Sequence, residues 1–506
     1  MSAPSLKEAP VAHAGRGSAR IVAALVQLGG MQVAVALGTL VRNKAMAVYL
    51  RPEGFGEFTQ LAAIASAFHV VVQSGMAVGL SRNAAAATTT RLRQRHLEAA
   101  NLLTMLLAAA SLAVLLPLLF SPAGASILPV LGIAPGASQK WMLAALLLIA
   151  PLEALRNNYI SFLQGVLDIR GLSAGRSVAV AAGTLVAVPL IVFLGLAGAC
   201  LQMAVASAIL AFFLGRRCRQ TGYRPLAFAW DPATVRLLAS FGGASLLVGF
   251  SQNAIDTIIR GRLITAFGMA ENGLYQAALA ISTQVTTVLL GSIGAYALAA
   301  FSQSPDSASL QSRMDNLLRV VIPASTIGLG LVGLFSRPVF YSLYSAQFAD
   351  ATRFLPLLFA ANHLQVASWA FGSVILAGGM IRHWIGVELT SVAIRFATVA
   401  VGIPFIGVYA IPAGLLLGVL FNVVAYAALS RSRTGVRAAA STWAGFALGG
   451  VAACAAAVVG ASSPSLAAGA ATLALLLLTT FALLWPDRLA LRAWLQSRLA
   501  PGWRLW

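Results

Sequence analysis

Uncharged apolar runs of bilayer length recur from Ile21 to Trp485 with only short polar breaks between them, and this pattern decides the fold class. A hydrocarbon core takes about 20 apolar residues per crossing helix. Inside it every backbone amide and carbonyl needs a partner, so only helices or closed barrels span it. The strand-like alternation of a barrel is absent. The chain therefore reads as an all-α integral membrane protein. Composition agrees, with 59% hydrophobic and only 9% charged residues and a mean hydropathy of +0.85, where soluble domains carry roughly a quarter charged residues. The 46 glycines suit helices that pack closely through small residues.

Set against the charged breaks, the apolar runs give about 14 spans. With the N-terminus placed inside, the inner breaks and both tails carry 24 of the 34 Lys and Arg, against eight at the outer breaks and span ends. That bias puts both termini in the cytoplasm of a multi-pass inner-membrane protein. The basic break at 216–236 divides the chain after the sixth span. The expected organisation is a cytoplasmic tail (1–18), a first six-helix bundle (19–218), a cytoplasmic linker (219–236), a second six-helix bundle (237–430), an additional helix pair (441–485) and an interfacial cytoplasmic tail (486–506). Lys7, Arg16 and Arg20 precede an apolar run and Ala45, Met46 and Ala47 imitate a cleavage site, but the run exceeds the roughly 7–15 residues of a signal core. An uncleaved first span is expected.

The formal charge of +20 does not indicate nucleic acid, because the basic residues are spread over loops and not gathered on one soluble face. Cys200, Cys218 and Cys454 lack metal or disulfide spacing and the five histidines are scattered. No metal and no cofactor are expected.

Two stretches repeat. Shifted by 217 residues, Gly56, Phe58, Ala63 and Ile64 fall on Gly273, Tyr275, Ala280 and Ile281; shifted by 214, Ser177, Val178, Ala179 and Thr184 fall on Ser391, Val392, Ala393 and Thr398. Six spans per copy is an even number, so two such halves share orientation and are related by a pseudo-twofold axis along the membrane normal, with a site between them.

Charge inside a span is expensive and is read first as function. Arg42 and Lys44 end the first span, Arg260 and Arg262 the seventh, so two basic pairs are expected to face one another across the axis. The same residues can also simply reach the outer interface. Glu153 and Arg156 in span four, and Asp256 and Arg260 in span seven, lie one turn apart and are expected to pair. Arg395 sits in span eleven. Arg42, Lys44, Arg156, Arg260, Arg262 and Arg395 are the candidate ligands of an anionic substrate, with Glu153 and Asp256 as coupling acids. Ser251, Gln252, Asn253 and Thr257 make span seven too polar for a lipid face. Asn362, His363, Gln365, His69 and Gln73 add polar groups in other spans.

The stretch from Arg42 to Arg82, centred on Tyr49, Leu50, Arg51, Pro52, Glu53, Gly54, Phe55, Gly56, Glu57 and Phe58, resembles the polysaccharide-export flippases of the multidrug/oligosaccharidyl-lipid/polysaccharide superfamily. The turn Asn272, Gly273, Leu274, Tyr275 looks like its second-half copy. The resemblance extends in order over about 18–430 and implies two bundles rocking around a cationic cavity to carry an undecaprenyl-diphosphate-linked oligosaccharide to the periplasmic leaflet. Membrane lipids, and polysaccharide polymerase and chain-length proteins, are the partners it implies. The extra pair 441–485 is similar to the added helices of the lipid II flippase branch and implies a groove for the polyprenyl tail. Independently, a diphosphate calls for fixed charge in a wet cavity, and arginine's planar fork meets oxyanions bidentately.

Two other classes fit less well. A cation-coupled drug antiporter needs an acid in the first bundle's leading spans, yet none occurs between Ile21 and Leu50. A membrane enzyme needs catalytic groups in a sizeable outer loop, and 121–140 has no Asp, Glu or His.

Overall fold

The structure is a computed structural model that describes residues 14–73, 76–302, 306–462 and 466–484. The expected tail at 486–506 and most of that at 1–18 lie outside them. Helix α1 (Ala14–Gln73) begins within the expected N-terminal tail. It is followed by α2 (Met76–Ala86), α3 (Thr90–Phe120), α4 (Pro122–Val130), α5 (Ala137–Gly165) and α6 (Ile169–Gln220). The second half comprises α7 (Pro232–Phe267), α8 (Met269–Ser302), α9 (Ser307–Leu334), α10 (Ser336–Leu343), a 3-10 helix (Ala346–Phe354), α11 (Leu355–Ala377), α12 (Ile381–Ile406) and α13 (Ala410–Thr434). Helices α14 (Ala440–Ala461) and α15 (Leu466–Leu484) complete the described chain.

Among the described residues, eight continuous stretches are long and apolar enough to cross a bilayer. Leu37–Gln73, Arg170–Gln220 and Ile381–Thr434 among them bend at Arg51, Gly195 and Gly407, whose φ angles are positive, so each contributes two rods. The rods follow the expected spans in order. Cap residues fix the starts: Thr89, Asp168, Asp231 and Asp306 accept from backbone amides at the heads of α3, α6, α7 and α9, as short polar side chains do at an N-cap.

Asp168 also accepts a 3.0 Å hydrogen bond from Arg217, which with its partner bond holds the Asp168 carboxyl below the usual carboxylate range. A depressed carboxylate contributes stability above its unfolded value near pH 4 and loses it as pH falls through the folded one. Asp168→Asn keeps a capping oxygen and is expected to cost at most about 1 kcal/mol at neutral pH, with a flatter acid limb in thermal melts. Asp168→Ala loses the cap too, about 1 kcal/mol more.

The two halves repeat in three dimensions. Gln94 donates to the Arg224 carbonyl at 3.1 Å and accepts from its amide at 2.9 Å, while also donating to Glu98 at 2.8 Å. In the second half Gln311 donates to the Arg437 carbonyl at 2.7 Å, accepts from its amide at 2.8 Å and donates to Asp315 at 2.9 Å. The head of α3 thus clamps the segment after α6, as the head of α9 clamps that after α13. The bend at Arg51 has φ 58 and ψ −179, and its counterpart Gly268 has φ 93 and ψ 169. Only glycine enters this region freely, and a side chain there costs about 1–3 kcal/mol. Arg51→Gly is expected to stabilise the fold by a net ~1 kcal/mol after glycine's entropy is subtracted, read as a higher melting temperature.

Small residues let the last pair dock on the second half. A Cβ on Gly460 would lie 2.0 Å from the Gly333 carbonyl oxygen, and one on Gly330 would lie 2.4 Å from Leu476, so α14 and α15 sit directly on α9. The opposite face of α14 exposes Leu448, Val451 and Val458, as lipid contact requires.

Candidate functional site

A cavity of about 300 Å³ opens within the second half between α7, α8, α11, α12 and α13. Asp256, Arg260, Tyr275, Asn362, Gln365 and Arg395 supply its polar wall. Asp256 and Arg260 stand one turn apart on α7, so one helix face delivers both. The ion pair Asp256 makes is with Arg395 of α12, not with Arg260. Arg395 reaches the carboxylate because its stem lies against Gly418 of α13, where a Cβ would come within 2.5 Å of it. Arg260 turns instead toward the first half, with Nη1 3.5 Å from the Thr59 carbonyl oxygen. With two arginines and one carboxylate on its lining, the cavity is net positive. Arg395 Nε is buried with no protein partner, a donor still to be used.

One turn and two turns before this face, a second network crosses the same helices. Gln252 donates to Glu388 at 3.0 Å, and the Tyr426 hydroxyl donates to the other Glu388 oxygen at 2.7 Å. Sequence reasoning passed over Glu388, although an acid seven residues before Arg395 lies on the same helical face. Two further polar residues of span seven bond within their helix: Asn253 donates to Gly249 O and Thr257 to Asn253 O.

In the first half Glu153 and Arg156 do pair, at 3.5 Å. Ser207 of α6 bridges them, accepting from Arg156 and donating to Glu153 at 3.0 Å each. His69 joins the cluster, 3.0 Å from Asn157 and 3.8 Å from Glu153. Arg176 lies within electrostatic reach of Arg156. His363 is a bonded core residue, between Ser325 at 2.9 Å and the Phe446 carbonyl at 3.1 Å.

The two basic pairs expected to face each other are split. Residues two apart on a helix point about 200° from one another, so Arg260 faces the interior while Arg262 is exposed. Arg42 is half-buried and reaches Thr39 at 3.3 Å. Lys44 donates to the Tyr341 carbonyl of α10 at 2.9 Å. Sequence order thus named Arg260, Arg395 and Asp256, which share one cavity; Glu153 and Arg156 occupy a separate cluster, and Lys44 and Arg262 belong to neither.

Lys44 is part of a closure at the end of the bundle that carries α4 and α10, neither of which the span pattern foretold. α10 and the following 3-10 helix lean across onto α1, where Tyr344 and Phe348 meet Phe55 edge-on with ring centroids 5.8 and 5.6 Å away. Reciprocally, the end of α4 leans onto α7: a Cβ on Gly261 would lie 2.5 Å from the Val130 carbonyl oxygen. Gln60 ties both, donating to Leu131 O at 2.6 Å and Thr257 O at 3.2 Å. Between these crossings Gly56 and Gly273 bring α1 and α8 into backbone contact, with Asn272 donating to the Gly56 carbonyl at 2.9 Å.

An apolar groove of about 570 Å³ runs beside this closure, walled by Ile64, Phe68 and Val71 of α1, Val114 and Leu118 of α3, and Phe250 of α7. The first half supplies its lining except for Phe250, through which it borders the second half.

No known family profile matches the chain. Among characterised proteins it is similar to the lipid III flippases of Escherichia coli (strain K12) and Shigella flexneri, each 21% identical over 199 residues, 39% of this chain and 48% of the relative. The similarity therefore spans about half the length of these relatives. In three dimensions the chain is similar to an inward-facing multidrug resistance MATE family transporter of the MOP superfamily, with a TM-score of 0.64 at 14% identity over 81% of this chain and 98% of the other. A MOP superfamily transporter from Pyrococcus furiosus Vc1, described by a binding pocket of reversed polarity, gives 0.60 at 14% identity over 81% and 95%. The chain has the two-bundle, all-helical membrane fold of these transporters.

Proposed function

We propose that this protein is a flippase that carries a polyprenyl-diphosphate-linked oligosaccharide from the cytoplasmic to the periplasmic leaflet by alternating access. The observation that carries the reading is the pairing of a net-positive cavity, holding Arg260 and Arg395, with an apolar groove whose Phe250 lies six residues before Asp256 on α7. An amphipathic lipid diphosphate needs both environments at once. Arginine forks bind the oxyanions, and the groove covers the isoprenoid chain. The similarity to lipid III flippases supports a lipid-linked cargo. On this reading 19–218 and 237–430 are the moving bundles, 219–236 is their cytoplasmic linker, and the Gly56–Gly273 crossing closes the periplasmic side. Asp256 competes with the incoming diphosphate for Arg395, so binding releases the carboxylate. Glu153, with Arg156 and His69, forms a second ionisable cluster suited to coupling.

A cation-coupled drug antiporter is the alternative of the same fold. It fits the cavity poorly, because two guanidinia oppose a cationic cargo and the one carboxylate on its wall is already paired.

Reconstitution in liposomes separates the two. A fluorescent polyprenyl-diphosphate oligosaccharide in the outer leaflet should become protected from a membrane-impermeant quencher only in protein-containing vesicles. An ethidium-type cation should not move. Cation transport without lipid protection would replace the flippase reading by the antiporter one.

A further inference from the structure

At the other end of the first half, the chain after α6 folds back and is pinned. Asn101 donates to the Pro225 carbonyl at 2.7 Å, the Tyr159 hydroxyl donates to the same oxygen at 3.1 Å, and Gln94 holds both backbone groups of Arg224. The pinned Pro225 and Leu226 form a fixed wall, and between that wall, α5 and α6 lies a groove of about 590 Å³. Its floor is apolar, from Leu152, Leu155, Ala211 and Phe212, and Arg216 and Arg219 stand at its rim. These arginines are exposed and enter none of the described ion pairs, whereas their neighbour Arg217 is committed to Asp168. Beside the rim Leu226, Phe228 and Trp230 are exposed, Trp230 by 60%. An aromatic residue at such a level marks a membrane–water interface.

We propose that this groove binds an anionic phospholipid of the cytoplasmic leaflet, its phosphate between Arg216 and Arg219 and its upper acyl carbons on Leu155, Ala211 and Phe212. The occupant is specified by charge and depth. Unpaired arginines at the inner interface attract anionic headgroups, and the apolar floor begins directly below them. Free phosphate would use the arginines but leave the floor uncovered. The groove is also not a by-product of the repeat. Under the 214-residue shift Arg216 and Phe212 fall on Ser430 and Tyr426, both buried in the second half, and of the two rim arginines only Arg219 has a basic counterpart, the exposed Arg433. The site rests on the topology proposed above but not on flipping, so the two can fail separately.

Native mass spectrometry of the full chain in detergent, with dioleoyl phosphatidylglycerol or dioleoyl phosphatidylcholine at equal concentration, tests it. Phosphatidylglycerol adducts should exceed phosphatidylcholine adducts by about tenfold. Arg216→Gln with Arg219→Gln should remove that preference, and Ala211→Trp, which fills the floor, should reduce both adducts. Arg431→Gln with Arg433→Gln, the exposed basic pair ending α13, should leave the preference intact. Equal binding of the two lipids by the unmodified chain, or a preference that survives the Arg216/Arg219 change, or one that falls as far with the Arg431/Arg433 change, overturns the site. Impermeant-reagent labelling of a cysteine at Gly222 only from the cytoplasmic side supports the leaflet assignment. Labelling from the periplasmic side overturns it.

Discussion

Arg260→Ala is expected to weaken binding of a polyprenyl diphosphate by one to two orders of magnitude while leaving the protein folded in the membrane. A hydrogen bond from a charged donor contributes about 1.5–3 kcal/mol net, which is roughly 10- to 150-fold in affinity. Arg260 can be lost cheaply because its protein contact is one 3.5 Å bond to a carbonyl. Arg395→Ala should lose as much affinity and some stability as well, since it strands Asp256. Breaking a buried pair costs about 3–5 kcal/mol, and here less, because the Asp256 side chain is 37% exposed to the cavity. Asp256→Asn should do the opposite to binding. It frees Arg395, so the diphosphate binds more tightly and leaves more slowly, and turnover falls. The double change Asp256→Asn with Arg395→Gln should restore stability without restoring affinity. Equilibrium binding in detergent, melting curves and surface-polysaccharide export in a deletion strain measure the three quantities. Export at the unmodified level by both Arg260→Ala and Arg395→Ala, at normal expression, would remove this cavity as the diphosphate site.

Much of the architecture could be read before any coordinates because the bilayer leaves few options. Uncharged runs had to be helices, and the short charged breaks between them set their order along the chain. The 217-residue register was also real in space, since Gly56 and Gly273 touch one another. What escaped was carried by contacts that sequence spacing does not encode. Asp256 has Arg260 one turn away, yet Arg395, 139 residues later, takes the carboxylate, because only the fold sets α12 beside α7. Arg42 and Lys44, like Arg260 and Arg262, looked like pairs in the linear chain and point apart on a helix. Helices α4 and α10, of 9 and 8 residues, are too short to register as spans. The clamps at Gln94 and Gln311 were invisible because their partners are backbone groups, which any residue supplies. Glu388 was legible and missed, a single acid in an apolar span with Arg395 two turns on.

The second large effect is expected at the crossing of α1 and α8. A methyl group on Gly56 would lie 2.1 Å from the Met269 carbonyl oxygen and 2.9 Å from the Gly273 amide nitrogen, and one on Gly273 would lie 2.0 Å from the Pro52 carbonyl oxygen. These neighbours are backbone, so no rotamer change relieves the overlap and the helices must part. Parting them also removes the Asn272 bond to Gly56 and loosens the contacts of Gln60 and Tyr344 on either side. Gly56→Ala and Gly273→Ala should therefore shift the population toward a state open at this end, and each 1.4 kcal/mol lost from the closed state is tenfold in that equilibrium. A cysteine at Thr257, 4% exposed beneath the crossing, should react with an impermeant maleimide at least about tenfold faster in either variant, and flipping should fall by a similar factor because the closed state is no longer reached. Gly386→Ala is the control. Nothing lies within 4 Å of a Cβ there, so it should label and transport normally. Unchanged labelling and transport in both crossing variants would show that the halves do not need this contact to close. Faster labelling with undiminished flipping would show that closure here is not a step of the cycle.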